Sequence, residues 1–277
     1  MLENYLIIVG AQKCGTTTLY SHLATSKYFA SSIVKELHYF DTAVVADIHD
    51  YTSRFNESDT SECYLESTPS YLYLPSVPES MNETLLGKNV KIIICIRDPV
   101  KRAYSHYQMN VRRQQETDTF DTAFRRMSSD PVDSYFQRGL YSEQIKRFQD
   151  SFGDESVLVL EMEKDFKDTR MLNRKLEGFI GAELGLGDEL VTLNSSWNFK
   201  SRWVAQLFAP KWIRRIGRAR ILKSLRARII RQVSATGRRT PSEENHEKLN
   251  VYNDFYKLEK STLEALLRRK LAWSSIN

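Results

Sequence analysis

The stretch VGAQKCGTTT, residues 9–18, constrains this chain more than any other. The apolar run Tyr5-Leu6-Ile7-Ile8 leads into it and an apolar-periodic stretch follows. A strand that passes through a glycine turn into a helix start builds an anion site. Backbone N–H groups at the helix N-terminus point outward, and the macrodipole favours negative charge there. Gly10 and Gly15 admit a tight turn and close backbone approach, and Thr16, Thr17 and Thr18 add hydroxyl donors. The spacing nearly matches the nucleotide loop G-x-x-x-x-G-K-[ST], in which the lysine reaches the β/γ-phosphates and the next Ser/Thr binds magnesium. Here Thr16 stands in the lysine's place and Lys13 lies three residues earlier, inside the loop. Its ammonium can arch over a group resting on the helix N-terminus. A glycine turn that merely starts a helix is the plainer alternative; the strand before it and the threonines after it speak against it.

The rest of the chain repeats the strand-then-helix pattern. Strand-like runs occupy 6–9, 63–66, 90–96 and 157–161, and "VKIIICI" and "SVLVLEM" are apolar nearly throughout, as strands buried on both faces should be. Helices are predicted at 16–24, at 100–115 after a proline, and at 141–152, where Ile145, Phe148 and Phe152 share one face before Gly153. This alternation predicts an α/β fold, a phosphate-loop-like parallel sheet flanked by helices. No strong strand follows residue 190, so a single domain over 1–277 is expected, with 190–277 mostly helical.

With 277 residues, 41% of them hydrophobic and 27% charged, the chain can bury a sizeable core. No apolar run approaches the roughly 20 residues that span a bilayer, and no leader-like segment opens the chain. A cytoplasmic location, or one peripheral to a membrane, is expected, the alternative being a removed targeting segment. Cys14, Cys63 and Cys95 form no C-x-x-C pair, so neither a disulfide framework nor a zinc site is expected.

A second motif, "IICIRDPVKRAYSHY" over 93–107, places Arg97 at the end of a strand and Ser105 roughly two helical turns later. An arginine at the carboxyl end of a parallel strand points into the crevice where α/β folds bind ligands. A guanidinium with a hydroxyl suits a phosphate monoester. By itself an R-D-P turn reads equally well as a helix-capping ion pair. Together the two motifs resemble those of the sulfotransferases that use 3′-phosphoadenosine 5′-phosphosulfate. The resemblance implies a 5′-phosphosulfate loop at Lys13, Cys14, Gly15, Thr16, Thr17 and Thr18, and a 3′-phosphate site at Arg97 and Ser105. It explains the displaced lysine: no γ-phosphate or magnesium needs the usual residues, and Lys13 neutralises charge at the bridging oxygen. No metal is expected.

"KELHYFD", 35–41, resembles the K-E-P-H-F-F-D stretch of the carbohydrate sulfotransferases that modify heparan sulfate. The resemblance implies Glu36 as the base that takes the acceptor hydroxyl's proton, with His38 and Asp41 in support. The plainer reading is a surface glutamate paired with Lys35 beside a core histidine. "YLESTPSYL", 64–72, resembles the family's E-K-T-P-x-Y segment and departs at Ser67, where a lysine usually approaches the sulfate. One cation is then missing, and Lys13 or an arginine must carry its share. "RGLYSEQIKRF", 138–148, resembles the G-x-Y-x-x-x-L segment. Asp41, Tyr71, Arg138 and Tyr141 are therefore candidate acceptor contacts. "NSSWNFKSRW", 194–203, resembles the loop that closes over the 3′-phosphate, which makes Lys200 and Arg202 candidates there. The ending resembles the terminal helix of bacterial members.

The charge is concentrated in one place. Residues 211–239 hold eleven basic and no acidic residues, leaving 29 basic against 35 acidic elsewhere. Apolar residues recur among the arginines at near-helical spacing, which suits a wall for an anionic glycan, a membrane-surface patch or an ordinary solvated face. The acceptor implied is a hydroxyl on a glycan, lipid or acyl chain. Two rival classes are a magnesium-dependent nucleotide kinase or triphosphatase, opposed by the missing lysine, and a nucleic-acid-binding module on the basic helix. The second is opposed by the acidic remainder and the lack of an aromatic stacking platform, so nucleic acid is not an expected partner.

Overall fold

The computed structural model describes residues 2–41, 47–126, 134–190, 249–273 and 276. Among these, five parallel strands form one sheet in the order β2-β3-β1-β4-β5. They are β1 (Asn4–Gly10), β2 (Phe29–Ser31), β3 (Cys63–Ser67), β4 (Asn89–Ile96) and β5 (Val157–Glu161). Tyr5 through Val9 and Ile92 through Ile96 are buried without interruption. Successive strand residues face opposite sides, so both faces of the sheet are covered, which is why these runs lack polar alternation.

The helices are α1 (Thr16–Leu23), α2 (Ile48–Thr52), α3 (Val77–Thr84), α4 (Pro99–Arg112), α5 (Phe120–Arg125), α6 (Tyr141–Phe152), α7 (Met162–Asp165), α8 (Thr169–Ile180) and α9 (Lys257–Leu267). α1 packs on β1 and β3, and α6 packs on β4 and β5. The C-terminal part is tied back onto α6. The buried Glu259 carboxylate accepts from the Ser142 amide at 2.7 Å and the Ser142 hydroxyl at 2.8 Å, capping a helix start with negative charge. Tyr256 donates to the Phe136 carbonyl at 2.8 Å. The helical expectation for the C-terminal third therefore holds over 257–267, preceded by a 3₁₀ stretch at Asn250–Tyr256. Residues 191–248 lie outside the described residues.

Parallel strands all end on one edge. At that edge the loops after β1, β3 and β4 lie side by side because their strands are neighbours in the sheet. The sheet order alone thus puts the VGAQKCGTTT loop in the middle. The KELHYFD segment and the end of β3 flank it on one side, and the ends of β4 and β5 on the other.

Candidate active site

β1 ends at Gly10 and α1 begins at Thr16, with Gly15 as N-cap in the left-handed region at φ 85°. No side chain caps α1, so its first-turn amides keep their donors for an incoming anion. Two glycines are required for packing. A Cβ on Gly15 would lie 2.6 Å from the Phe166 ring, and one on Gly10 would lie 2.5 Å from Leu72 Cβ. The loop is moored to β4 by Ala11, whose amide donates to the Cys95 carbonyl at 2.7 Å. Thr16 is buried while Thr17 and Thr18 are partly exposed. Cys14 is fully buried with its Sγ 3.8 Å from the Tyr141 hydroxyl. Burial pushes its thiol up to about 12, so it is a neutral packing group and offers a ligand only its backbone.

Lys13 also sits in the left-handed region, at φ 72°. Its ammonium is held below the ordinary lysine range, first by burial and then by the nearby charges of Arg112, Arg97 and Arg113. Four cations therefore act on one location. Arg97 spans two elements. Its Nη1 donates to the Lys13 carbonyl at 3.4 Å and its Nε lies 3.7 Å from Glu163 Oε1. Asp98 next to it is buried and caps α4, accepting from the Val100 amide at 3.0 Å and the Lys101 amide at 3.1 Å. The capping reading of the R-D-P turn is realised by Asp98, and the adjacent Arg97 guanidinium turns to the Lys13 carbonyl. Ser105 lies on α4, partly exposed.

The KELHYFD segment is laid along the turn after β3. The Glu36 amide donates to the Ser67 carbonyl at 3.1 Å, the His38 amide to Thr68 Oγ1 at 3.5 Å, and the Tyr39 amide to the Tyr71 hydroxyl at 2.7 Å. Glu36 and His38 both adopt left-handed backbone, at φ 66° and 53°. With Lys13 they are three of the five non-glycine residues at positive φ among the described residues. Such conformations are costly for residues with a Cβ and collect where surrounding structure enforces them, often at functional sites. The Glu36 side chain, 45% exposed, pairs with Lys35 at 2.7 Å and lies 4.0 Å from His38 Nε2. His38 Nδ1 meets Asp41 Oδ2 at 2.7 Å, and Ser70 donates to the same oxygen at 2.6 Å. An Nδ1–H pointing at Asp41 leaves Nε2 as the acceptor on the Glu36 side. His38 is exposed and no core histidine.

Two expected acceptor contacts are corrected. Tyr71 is fully buried. Its hydroxyl donates to Glu66 Oε1 at 2.8 Å and receives the Tyr39 and Phe40 amides. Tyr141 is likewise buried, donating to the Arg97 carbonyl at 3.0 Å beside Cys14. Neither side chain can touch an acceptor; one supports the KELHYFD segment and the other supports the phosphate loop. Arg138 turns to the loop as well, donating to Gln12 at 3.1 Å and lying over the Tyr73 ring. Asp41 reaches the exposed edge only through His38 and Ser70. Lys200, Arg202 and 211–239 fall outside the described residues.

Sequence reading missed Glu66. It is fully buried and accepts from Tyr51 at 2.5 Å, Thr68 at 2.7 Å and Tyr71 at 2.8 Å. Burial raises its carboxyl, and these hydroxyls pull the other way. Through Thr68 and Tyr71 it holds the backbone of 38–40. Glu163, beside Arg97, was also missed; no motif marks it. Among the described residues no group of three or more His, Cys, Asp or Glu could hold a metal ion, and no helix is long and apolar enough to cross a membrane.

Residues 3–210 match the family model of the sulfotransferase domain. Heparan sulfate glucosamine 3-O-sulfotransferase 3B1 of Mus musculus is 25% identical over 197 residues, covering 70% of this chain and 50% of that protein. Membrane-associated sulfotransferase kil1 of Dictyostelium discoideum is 27% identical over 212 residues, covering 72% and 41%. The chain spans about half the length of the curated relatives it matches. The crystal structure of a sulfotransferase from Alicyclobacillus acidocaldarius shares the fold, with a TM-score of 0.69, 22% identity and 99% of each chain covered.

Proposed function

The chain belongs to the sulfotransferase domain family, and from that premise we propose that it transfers a sulfuryl group from 3′-phosphoadenosine 5′-phosphosulfate to a hydroxyl, with a carbohydrate as acceptor. The observation that carries the reading is the arrangement around Lys13. A loop without the nucleotide lysine opens onto the uncapped start of α1, and Arg97 of the neighbouring strand bonds to its backbone at 3.4 Å. The residues fit the donor substrate: α1 amides and Lys13 for the 5′-phosphosulfate, Arg97 and Ser105 for the 3′-phosphate. The carbohydrate acceptor is supported by the heparan sulfate relatives and by the cations gathered near Lys13.

In this reaction the acceptor oxygen bonds to sulfur while the bond from sulfur to the bridging phosphate oxygen breaks. Glu36 takes the hydroxyl proton. Lys35 beside it, at 2.7 Å, orients the carboxylate, and Asp41 fixes the His38 ring so that Nε2 faces the same place. Lys13 and the α1 amides stabilise the charge that collects on the departing phosphate, a preorganised electrostatic contribution. With Ser67 in place of the second lysine, Arg112 and Arg113 are the cations at hand to share that task. The His38–Asp41 pair at 2.7 Å favours a second reading, in which His38 is the base and Asp41 the group that orients it.

Labelled donor incubated with sulfated and unsulfated polysaccharides, sterols and fatty alcohols, with chelator present, tests the proposal. Label transferred to polysaccharide despite chelator is expected. Transfer only to lipid alcohols would move the acceptor class, and nucleotide hydrolysis restored by magnesium would remove the reaction.

A further inference from the structure

Glu163 is an acidic residue inside a site otherwise built for anions. It lies in the first turn of α7, directly after β5, and β5 is the sheet neighbour of β4. That places its carboxylate beside Arg97, Nε to Oε1 at 3.7 Å, while both of its oxygens face the Asp98 amide at 3.3 and 3.4 Å. Three residues on, Phe166 lies against Gly15. Glu163 therefore braces the end of β4 where Arg97 turns toward Lys13. The charged and titratable groups around it come from every neighbouring element: Arg97 at the end of β4, Asp98 at the start of α4, Cys14 in the phosphate loop and Glu161 at the end of β5. Burial raises the Glu163 carboxyl above the ordinary range, and Arg97 opposes that rise without cancelling it.

We propose that Glu163 is the positioning residue of the 3′-phosphate site: it holds Arg97 and the Asp98 amide in place in the free protein and takes up a proton when a 3′-phosphate settles against the same guanidinium. The inference rests on the reading of Arg97 and Ser105 given above. A carboxylate and a phosphate sharing one guanidinium are like charges, and the arriving anion makes the ionised carboxylate costlier. The carboxyl already titrates above the usual 4.5 in the free protein and titrates higher still in the complex. Protons are taken up between those two values. By linkage, affinity for the 3′-phosphate falls as pH rises through that window and loses this dependence above it. A neutral glutamine in place of Glu163 can still accept from Arg97 and from the Asp98 amide, and it removes the repulsion.

Calorimetry of adenosine 3′,5′-bisphosphate and adenosine 5′-monophosphate, in two buffers of different ionisation enthalpy across acid to neutral pH, tests this with wild type, Glu163→Gln and Arg97→Ala. Wild type should take up more protons than Glu163→Gln on binding the bisphosphate, and the same number on binding the monophosphate. Above the window Glu163→Gln should bind the bisphosphate more tightly, by roughly tenfold for each unit by which binding raises the carboxyl. Should Glu163→Gln prove unfolded by thermal melting, the wild-type count alone decides: uptake with the bisphosphate beyond the nucleotide's own ionisation supports the proposal, and none overturns it. Equal proton counts for wild type and Glu163→Gln, or equal weakening toward both nucleotides, overturn the proposal while Arg97→Ala still discriminates between them. If Arg97→Ala weakens both nucleotides alike, the 3′-phosphate assignment itself fails.

Discussion

Replacing Tyr71 by phenylalanine removes one oxygen from the centre of the candidate site while keeping the ring. That oxygen donates to Glu66 at 2.8 Å and accepts from the Tyr39 amide at 2.7 Å and the Phe40 amide at 3.3 Å. Because Tyr71 is fully buried, water cannot replace the lost partners. A hydrogen bond to a charged group contributes roughly 1.5–3 kcal/mol, and a buried amide left without a partner costs about 1–3 kcal/mol. The two overlap, so Tyr71→Phe should destabilise by roughly 3–5 kcal/mol, a large share of a typical folding free energy of about 5–15 kcal/mol. At about 2–4 °C per kcal/mol, the melting temperature should fall by roughly 10 °C. The Tyr39 amide also anchors the strained segment that carries Glu36 and His38, so kcat should drop while bisphosphate affinity changes little. Thermal unfolding followed by steady-state kinetics gives both readouts. An unchanged melting temperature with a raised KM for the acceptor would refute the reasoning, because that is the behaviour of an exposed acceptor contact.

Three further outcomes follow from the site. Gly15→Ala forces a Cβ to within 2.6 Å of the Phe166 ring at φ 85°; a loss of roughly 1–3 kcal/mol in stability is expected, partly restored by Phe166→Ala, and an unaffected melting curve would contradict the packing described. Lys13 is held low first by burial and then by Arg112, Arg97 and Arg113, and its protonated form is the useful one. kcat/KM should therefore fall on the alkaline side at a pH below the ordinary lysine range, Arg112→Ala should move that limb upward, and Lys13→Arg should remove it; an alkaline limb identical in all three proteins rules Lys13 out as its source. Glu36→Gln should lower turnover by roughly 10²–10⁴ with bisphosphate affinity intact, and His38→Ala should cost less; the reverse order in single-turnover rates would assign the base to His38.

Much of the sheet was legible because burial on both faces leaves an unbroken apolar run. The runs predicted at 90–96 and 157–161 correspond to β4 (Asn89–Ile96) and β5 (Val157–Glu161), and the helix at 141–152 has the same bounds in the structure, set by Gly153. β2, three residues long at Phe29–Ser31, is too short to show a period. Motif residues were legible as to type and less so as to direction. Tyr71 and Tyr141 are read from sequence as acceptor contacts, yet a tyrosine in a turn or at a helix start can point in or out, and the packing of Phe40 on Tyr71 and of Trp273 on Tyr141 decides. The R-D-P turn reads as either a cap or a phosphate site; Asp98 makes the cap, while the adjacent Arg97 turns to the Lys13 carbonyl. Glu66 stands in the YLESTPSYL stretch with two of its partners, Thr68 and Tyr71, but its burial beneath Tyr51 is set by packing and not by that spacing. Glu163 could not be read: Arg97 and Asp98 come to it from the end of the neighbouring strand, and nothing in its local sequence records them.

The most direct test is nucleotide selectivity in the presence of chelator. Adenosine 3′,5′-bisphosphate should bind without magnesium and more tightly than adenosine 5′-monophosphate. The extra charge-assisted contact at Arg97 is worth roughly 1.5–3 kcal/mol, about ten- to a hundredfold, and Arg97→Ala should erase that margin. Tighter binding of ADP or ATP with magnesium than of the bisphosphate, with no loss in Arg97→Ala, would contradict the assignment of this loop to a phosphosulfate donor.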